Sequence, residues 1–182
     1  MHVLILGAAG MIGRKLITSL IKDGSIGGKK IDAFTLIDVV DPGTPQGFTG
    51  QVKSYAANIA LPATAQLAIS ERPDVIFHLA AIVSGDAEAN LEKGYSINLD
   101  GTRYLFDAIR LEHAKAAYCP RVVFTSSVAV FGAPMPDIID DDFASTPLTS
   151  YGTQKAMCEL MLADYTRRGF MDGIHGVWAA PV

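Results

Sequence analysis

What this chain lacks narrows its possibilities before any motif is read. It has two cysteines, Cys119 and Cys158, which lie far apart without metal spacing and fit reduced cytosolic thiols. Its four histidines, His2, His78, His113 and His175, are scattered and gather no carboxylates, so no metal site is expected. There is no basic tract and no interleaving of aromatic with basic residues. With a formal net charge of -4 and a pI near 5.5, the surface has the wrong sign for nucleic acid or an anionic membrane. No apolar run approaches the ~20 residues of a membrane span. The first strand begins at once, without a basic leader, and a cytoplasmic location is expected. Internal repeats and low-complexity tracts are missing as well.

What is present starts at residue 1. Met1 to Leu6 is an apolar run of strand length, and it breaks into Gly7-Ala8-Ala9-Gly10-Met11-Ile12-Gly13. Leu16, Ile17, Leu20 and Ile21 then repeat at helical spacing. Strand, glycine turn and helix in that order form the context that a dinucleotide-binding turn requires. Gly7 allows the tight turn, Gly10 lets backbone approach a pyrophosphate, and Gly13 lets the helix pack closely on the strand. Free N–H groups of the helix start, including those of Met11 and Ile12, would face the phosphates.

The 182 residues, 49% hydrophobic and 19% charged, suit one soluble domain spanning 1–182 with a substantial core. Strand-like and helix-like segments alternate, which signals an α/β fold with a parallel sheet. Further strands are expected at Phe34–Ile37, at Gln51–Tyr55, at Asp74–Leu79 and at Arg121–Thr125, with a possible sixth after Gly169. Helices are expected over about 62–70, over 87–116 with a break near Gly94, and over 150–168. The stretch with Asp23-Gly24 and Gly27-Gly28 reads as a loop. Right-handed crossovers put the first strand in the centre of a Rossmann-type doubly wound parallel sheet, with helices on both faces.

Two groups of side chains carry chemistry. Asp38 closes the second strand, where a carboxylate accepts bonds from both adenosine ribose hydroxyls and repels a 2′-phosphate; this favours NAD over NADP. Arg14, just after Gly13, is either a surface arginine or a cation that approaches such a phosphate. The second group is Thr125-Ser126-Ser127 at the end of the fifth strand with Tyr151-x-x-x-Lys155 downstream. Four-residue spacing puts Tyr151 and Lys155 on one helix face. A phenol titrates near 10, and Lys155 with a cationic nicotinamide would lower that value. Tyr151 could then take a proton from a substrate hydroxyl while hydride leaves to the cofactor, with a serine orienting the hydroxyl.

Together these residues resemble the extended short-chain dehydrogenase/reductase superfamily, also called the NAD-dependent epimerase/dehydratase family. The resemblance runs from Met1 to about Phe170. It includes the glycine array, Asp38, Leu79-Ala80-Ala81, Asn98-Leu99-Asp100-Gly101-Thr102, Thr125–Gly132 and Tyr151-Gly152-Thr153-Gln154-Lys155. It implies that Ser127, Tyr151 and Lys155 are catalytic and that Asn98 is the superfamily's structural or proton-relay asparagine. Asn58-Ile59 matches a position that contacts adenine, although Asp is usual where Asn58 stands. Leu79, Ala80 and Ala81 would line the cofactor cleft; plain strand packing is equally compatible.

Within the superfamily, the loops Ile82–Ala89, Val130–Pro134 and Leu148–Lys155 look most like members that oxidise the C2 hydroxyl of a four-carbon sugar acid with NAD. On that reading Ser84, Ser127 and Tyr151 hold the substrate. A nucleotide-sugar epimerase or dehydratase and a non-catalytic cofactor-binding fragment are the alternatives. Resemblance also implies a homodimer built on two helices, one carrying Met157, Leu160 and Met161; ordinary core is the other reading of that stripe. Buried packing is expected of Cys158. Extended members continue past this length, so the C-terminal substrate region is expected to be largely missing. The stretch of about 173–182 departs from the Arg-Leu-Pro-Thr-like run usual there.

Overall fold

The computed structural model describes residues 1–177. Strand β1 (His2–Leu6) passes through the glycine turn into helix α1 (Met11–Asp23), which ends at Gly24 in the left-handed conformation. A small antiparallel hairpin follows, β2 (Ser25–Ile26) with β3 (Lys29–Lys30), and then β4 (Ala33–Asp38), β5 (Gln51–Ala56), α2 (Pro62–Ile69) and β6 (Val75–His78). Next come α3 (Ser84–Ala89), α4 (Leu91–Gly94), a π-helical stretch (Tyr95–Asp100) and α5 (Gly101–Lys115). Strand β7 (Arg121–Thr125), a 3₁₀ turn (Val128–Val130), α6 (Ser150–Arg167) and β8 (Asp172–Gly176) complete the described chain.

The large sheet has the order β5-β4-β1-β6-β7-β8, every pair parallel. This is the expected doubly wound arrangement with β1 inside. Alternation along the strands decides which side chain feeds which layer. Leu4 and Leu6 point to the face covered by α2, α5 and α6, where they join Ile69, Leu105, Phe106, Ile109 and Leu162. Val3 and Ile5 point to the opposite face, with Phe34, Leu36 and the α1 residues Ile17 and Leu20. Both faces of β1 are therefore buried, which is why its sequence reads as an unbroken apolar run rather than an alternating one. Each of these fully buried side chains contributes about 1.5–3 kcal/mol of transfer free energy.

Two expectations need correction. The stretch after α1 is a hairpin instead of a loop; two-residue strands are too short to show any periodicity. The long helix over 87–116 does break, but at Asn90 and not at Gly94. Asn90 adopts an extended conformation, and its side chain accepts the Lys93 N–H at 2.9 Å. Through Gly94 the helix runs on into the π-helical stretch, an uncommon form often found at functional sites. The possible sixth strand is present as β8, inside the atypical tail. Residues 178–182 of that tail lie outside the described residues. Among the described residues no helix is long and apolar enough to cross a membrane.

One buried polar group makes the fold sensitive to acid. His78, at the end of β6, is 1% exposed, and its Nε2 meets Thr102 Oγ1 at 2.8 Å. The Thr102 hydroxyl donates to the Asn98 carbonyl, so Nε2 carries the proton. Burial, helped by the Lys155 charge, pulls the imidazole down to about 3. The folded value lies below the unfolded one, so stability is complete above about pH 6.5 and is lost as pH falls toward 3, by up to ~1.4 kcal/mol per pH unit. Urea melts between pH 7 and 4 should show a shallower acid loss for His78→Gln than for wild type. Equal slopes would count against the assignment.

Candidate active site

The strand order reverses between β1 and β6, and doubly wound sheets open a crevice at that point beyond the C-terminal strand ends. Here a cleft of about 360 Å³ lies there, lined by the turn after β1, the end of β4, the segment after β5 and the segment after β6. Gly7, Gly10, Asp38, Asn58, Ile59, Leu79, Ala80 and Ala81 all face it.

Three glycines shape its floor for three different reasons. Gly7 has φ +87, and an added Cβ would sit 2.8 Å from Ala80 N and 2.9 Å from Leu79 C. At Gly13 a Cβ would lie 2.3 Å from Gly7 O and 2.8 Å from Ala8 Cα, so α1 sits directly on the turn. Gly10 is exposed, and a Cβ there meets only Gly7 O, at 3.3 Å. A methyl at Gly10 would project into the cleft, and its absence leaves room for a ligand against the backbone. No side chain caps α1, so its first N–H groups remain available to an anion. Met11 and Ile12 do not line the cleft with their side chains; what they bring is their backbone N–H groups.

Asp38 is held from two sides. Its Oδ2 accepts the Ala9 N–H at 2.9 Å and its Oδ1 the Val39 N–H at 2.7 Å. Each carboxylate oxygen keeps a further lone pair for a diol. Arg14 also lines the cleft and donates from Nε to Ala9 O at 2.6 Å. Asn58 spends its Oδ1 on the Ala60 N–H at 2.9 Å, a local turn, which leaves its amide NH₂ as the group free for a base. These features fit a dinucleotide: a backbone cradle with an exposed glycine, an uncapped helix start and a fixed carboxylate in the same cleft.

The second group gathers where β7 meets α6. Ser127 precedes the 3₁₀ turn, and its Oγ accepts the Ala129 N–H at 3.2 Å. The Ser127 side chain lies near enough to the Tyr151 phenol to favour its ionised form. Thr149 caps α6 by accepting the Gly152 N–H at 3.0 Å, which fixes the first turn and Tyr151 with it. Lys155 is 3% exposed; its Nζ donates to Thr125 O at 2.9 Å and lies 4.6 Å from the Phe124 ring centroid and 5.9 Å from that of Tyr151. Burial pulls this ammonium down to about 8, opposed by Cys158 and Glu159.

The phenol does not behave as the spacing suggests. Burial raises Tyr151 above its ordinary value, and the nearby Ser127 hydroxyl only opposes that shift. Lys155 is committed to a β7 carbonyl, so the protein's own groups do not give the lowering expected of them.

Asn98 is 2% exposed and turns away from Lys155. Its Oδ1 accepts Ile82 N–H at 2.9 Å, while Nδ2 donates to Ile82 O at 3.2 Å and to Gln154 Oε1 at 2.8 Å. Ser84 opens α3, which is fastened to α6 by a Ser150 N–H to Glu88 carboxylate bond. Among the described residues the Ser84 hydroxyl bonds neither Ser127 nor Tyr151. Cys158 is fully buried, with burial pushing its thiol up to about 11, which fits packing rather than reactivity. Sequence reasoning missed Ile82 and Gln154. The signal for Gln154 was its place on the face of α6 shared by Lys155, Cys158 and Leu162, all buried.

From residue 3 to residue 179 the chain matches the model of the NAD dependent epimerase/dehydratase family. It belongs to that family. The cofactor that the cleft is shaped for is accordingly NAD. Family members of known name include D-erythronate dehydrogenase from Cupriavidus necator, 43% identical over 95% of this chain, and from Haemophilus influenzae, 42% identical over 96%. Among solved structures, the nucleoside-diphosphate-sugar epimerase from Agrobacterium tumefaciens is 64% identical with a TM-score of 0.94, over 96% of this chain. UDP-glucose 4-epimerase from Brucella ovis, in complex with NAD, is 27% identical with a TM-score of 0.77, over 97%. The chain spans about half the length of these relatives: 53% of each dehydrogenase, and 51% of each of the two solved chains.

Proposed function

We propose that this chain is the NAD-binding and proton-transfer part of a dehydrogenase that oxidises the C2 hydroxyl of a small sugar acid, D-erythronate, to 2-dehydro-D-erythronate. The observation that carries this reading is the gathering of Ser127, Tyr151 and the buried Lys155 where β7 meets α6, on the same C-terminal edge of the sheet as the nucleotide cleft. Similarity to two D-erythronate dehydrogenases supports the substrate.

When bound, NAD would supply the acceptor for the hydride that leaves the substrate's C2 carbon. Ser127 orients the hydroxyl and Tyr151 takes its proton. Asp38 would hold the adenosine ribose, the α1 start would hold the pyrophosphate, and Asn58 with Ile59 would border the adenine. The walls at Leu79, Ala80 and Ala81 exclude water from one side. Lys155 stays on Thr125 O, so the lowering of the Tyr151 phenol would come with the cationic nicotinamide in place. Tyr151→Phe is expected to cut NADH formation from D-erythronate by about 10²–10⁴ while sparing NAD binding; retained turnover would refute the role of Tyr151.

A second reading, nucleotide-sugar epimerisation, is favoured by the 64% identical Agrobacterium structure that carries that description. An epimerase recycles its cofactor, so net NADH release from a substrate panel separates the two. The same proposal includes a homodimer through α5 and α6. Met157, Leu160 and Leu111 are exposed there, so Met157 and Leu160 are surface and not core. Sedimentation equilibrium should give a dimer for wild type and a monomer for Leu160→Glu. A wild-type monomer at all concentrations would exclude the pairing.

A further inference from the structure

The geometry points to Gln154 as a positioning residue that ties the helix bearing Tyr151 and Lys155 to the wall of the nucleotide cleft. The inference rests on the NAD reading of that cleft and adds to it a device for setting where the nicotinamide end lies.

Gln154 is completely buried, one residue before Lys155 and three after Tyr151. Its Oε1 accepts from Asn98 Nδ2 at 2.8 Å. Asn98 in turn grips both backbone groups of Ile82, the N–H at 2.9 Å and the carbonyl at 3.2 Å. Ile82 lines the cleft directly after Ala81. A continuous tie therefore runs from α6, through the π-helical stretch, to the segment that borders the cofactor.

Packing alone does not account for this residue. Gln154 Nε2 has no hydrogen-bond partner among the described residues. A buried, unused donor is destabilising, and an apolar side chain of the same volume would be better for stability. The chain makes room for it nonetheless. A Cβ added at Gly94 would come within 2.7 Å of Gln154 Nε2, so a glycine stands where the amide needs space. The group that earns its place is the acceptor, Oε1, which fixes the Asn98 amide in the orientation that clamps Ile82.

On the NAD reading the adenosine half would take Gly10, Asp38 and Asn58, and the nicotinamide half would extend past Ile82 toward α6. NADH and ADP binding to this chain, both followed by titration, should therefore respond differently. Gln154→Met removes the acceptor and keeps the volume; it is expected to weaken NADH by about tenfold, the effect of one buried hydrogen bond, and to leave ADP unchanged. Gln154→Glu keeps the acceptor and should hold NADH within about threefold of wild type.

Loss of NADH and ADP together, loss of neither, or an equal loss in both variants overturns the inference. Should Gln154→Met not fold, exchange of the Ile82 amide in wild type decides: slowing with NADH and not with ADP supports the tie, and no difference refutes it. Failure of wild type to bind NADH at all would instead sink the cofactor reading beneath it.

Discussion

Lys155→Met is expected to give a protein that is more stable than wild type at pH 7 and has lost the proposed turnover. The ammonium is 3% exposed, and among the described residues its hydrogen-bond partner is a carbonyl, Thr125 O. Burial moves it from 10.5 to about 8, a folded value below the unfolded one. Below pH 8 both states are protonated and the fold bears the whole cost of the buried charge, on the order of 3 kcal/mol. Between 8 and 10.5 the folded state sheds its proton and the cost fades. Methionine fills the same volume without charge, at the loss of one hydrogen bond worth about 1 kcal/mol. The net gain should be on the order of 2 kcal/mol at pH 7 and turn into a small loss by about pH 10.5, where only the missing hydrogen bond is left. Urea melts at both pH values, beside an assay of NADH formation, read this out. A destabilised variant at pH 7, or one that keeps its turnover, would show that Lys155 has another role.

Gly10→Ala and Gly13→Ala should separate ligand binding from folding within four residues. At Gly13 the new methyl collides with backbone, Gly7 O at 2.3 Å and Ala8 O at 2.8 Å, and backbone yields only if α1 lifts off the turn. Overpacking of that kind costs about 3 kcal/mol or more, a large fraction of the stability of a typical domain. Gly10→Ala meets a single carbonyl at 3.3 Å and should cost about 1 kcal/mol or less, near the N-cap difference between the two residues. Its methyl stands in the cleft, and NAD affinity should fall by roughly a hundredfold, as backbone N–H groups lose contact with the pyrophosphate. Calorimetry and NAD titration of both variants test the contrast. A Gly10→Ala protein that binds NAD normally would remove the pyrophosphate from the α1 start.

The sheet was legible where burial is two-sided. β1, β4 and β7 announce themselves as Val3–Leu6, Phe34–Ile37 and Val122–Phe124, because strands covered on both faces tolerate little polarity. Edge strands carry less signal. β8, Asp-Gly-Ile-His-Gly, is mostly exposed and has neither alternation nor an apolar run, so only its place after α6 suggested it. The cleft was readable from glycine spacing and Asp38, since turn geometry and an anion site leave local marks. What local pattern does not encode is pairing across long sequence distance. Asn98 and Ile82 meet through a π-helical turn, and neither residue type predicts that form. Gln154 looked like a spacer inside the Tyr151–Lys155 motif. The rise of the Tyr151 phenol was equally hidden, because it depends on how deeply α6 is covered.

The central position of β1 carries a consequence for biosynthesis. Val3 pairs with Phe34 on one side and with Val75 on the other. β1 thus acquires its second neighbour only after Val75–His78 has been made. At ~5–20 residues per second the interval between the two partners lasts several seconds, during which the apolar run Val3–Leu6 has an open edge. Non-local parallel pairing is itself slow. During synthesis the edge of β1 is accordingly open to other chains, and binding of a chaperone to the nascent segment between β1 and β6 is where that vulnerability would be met.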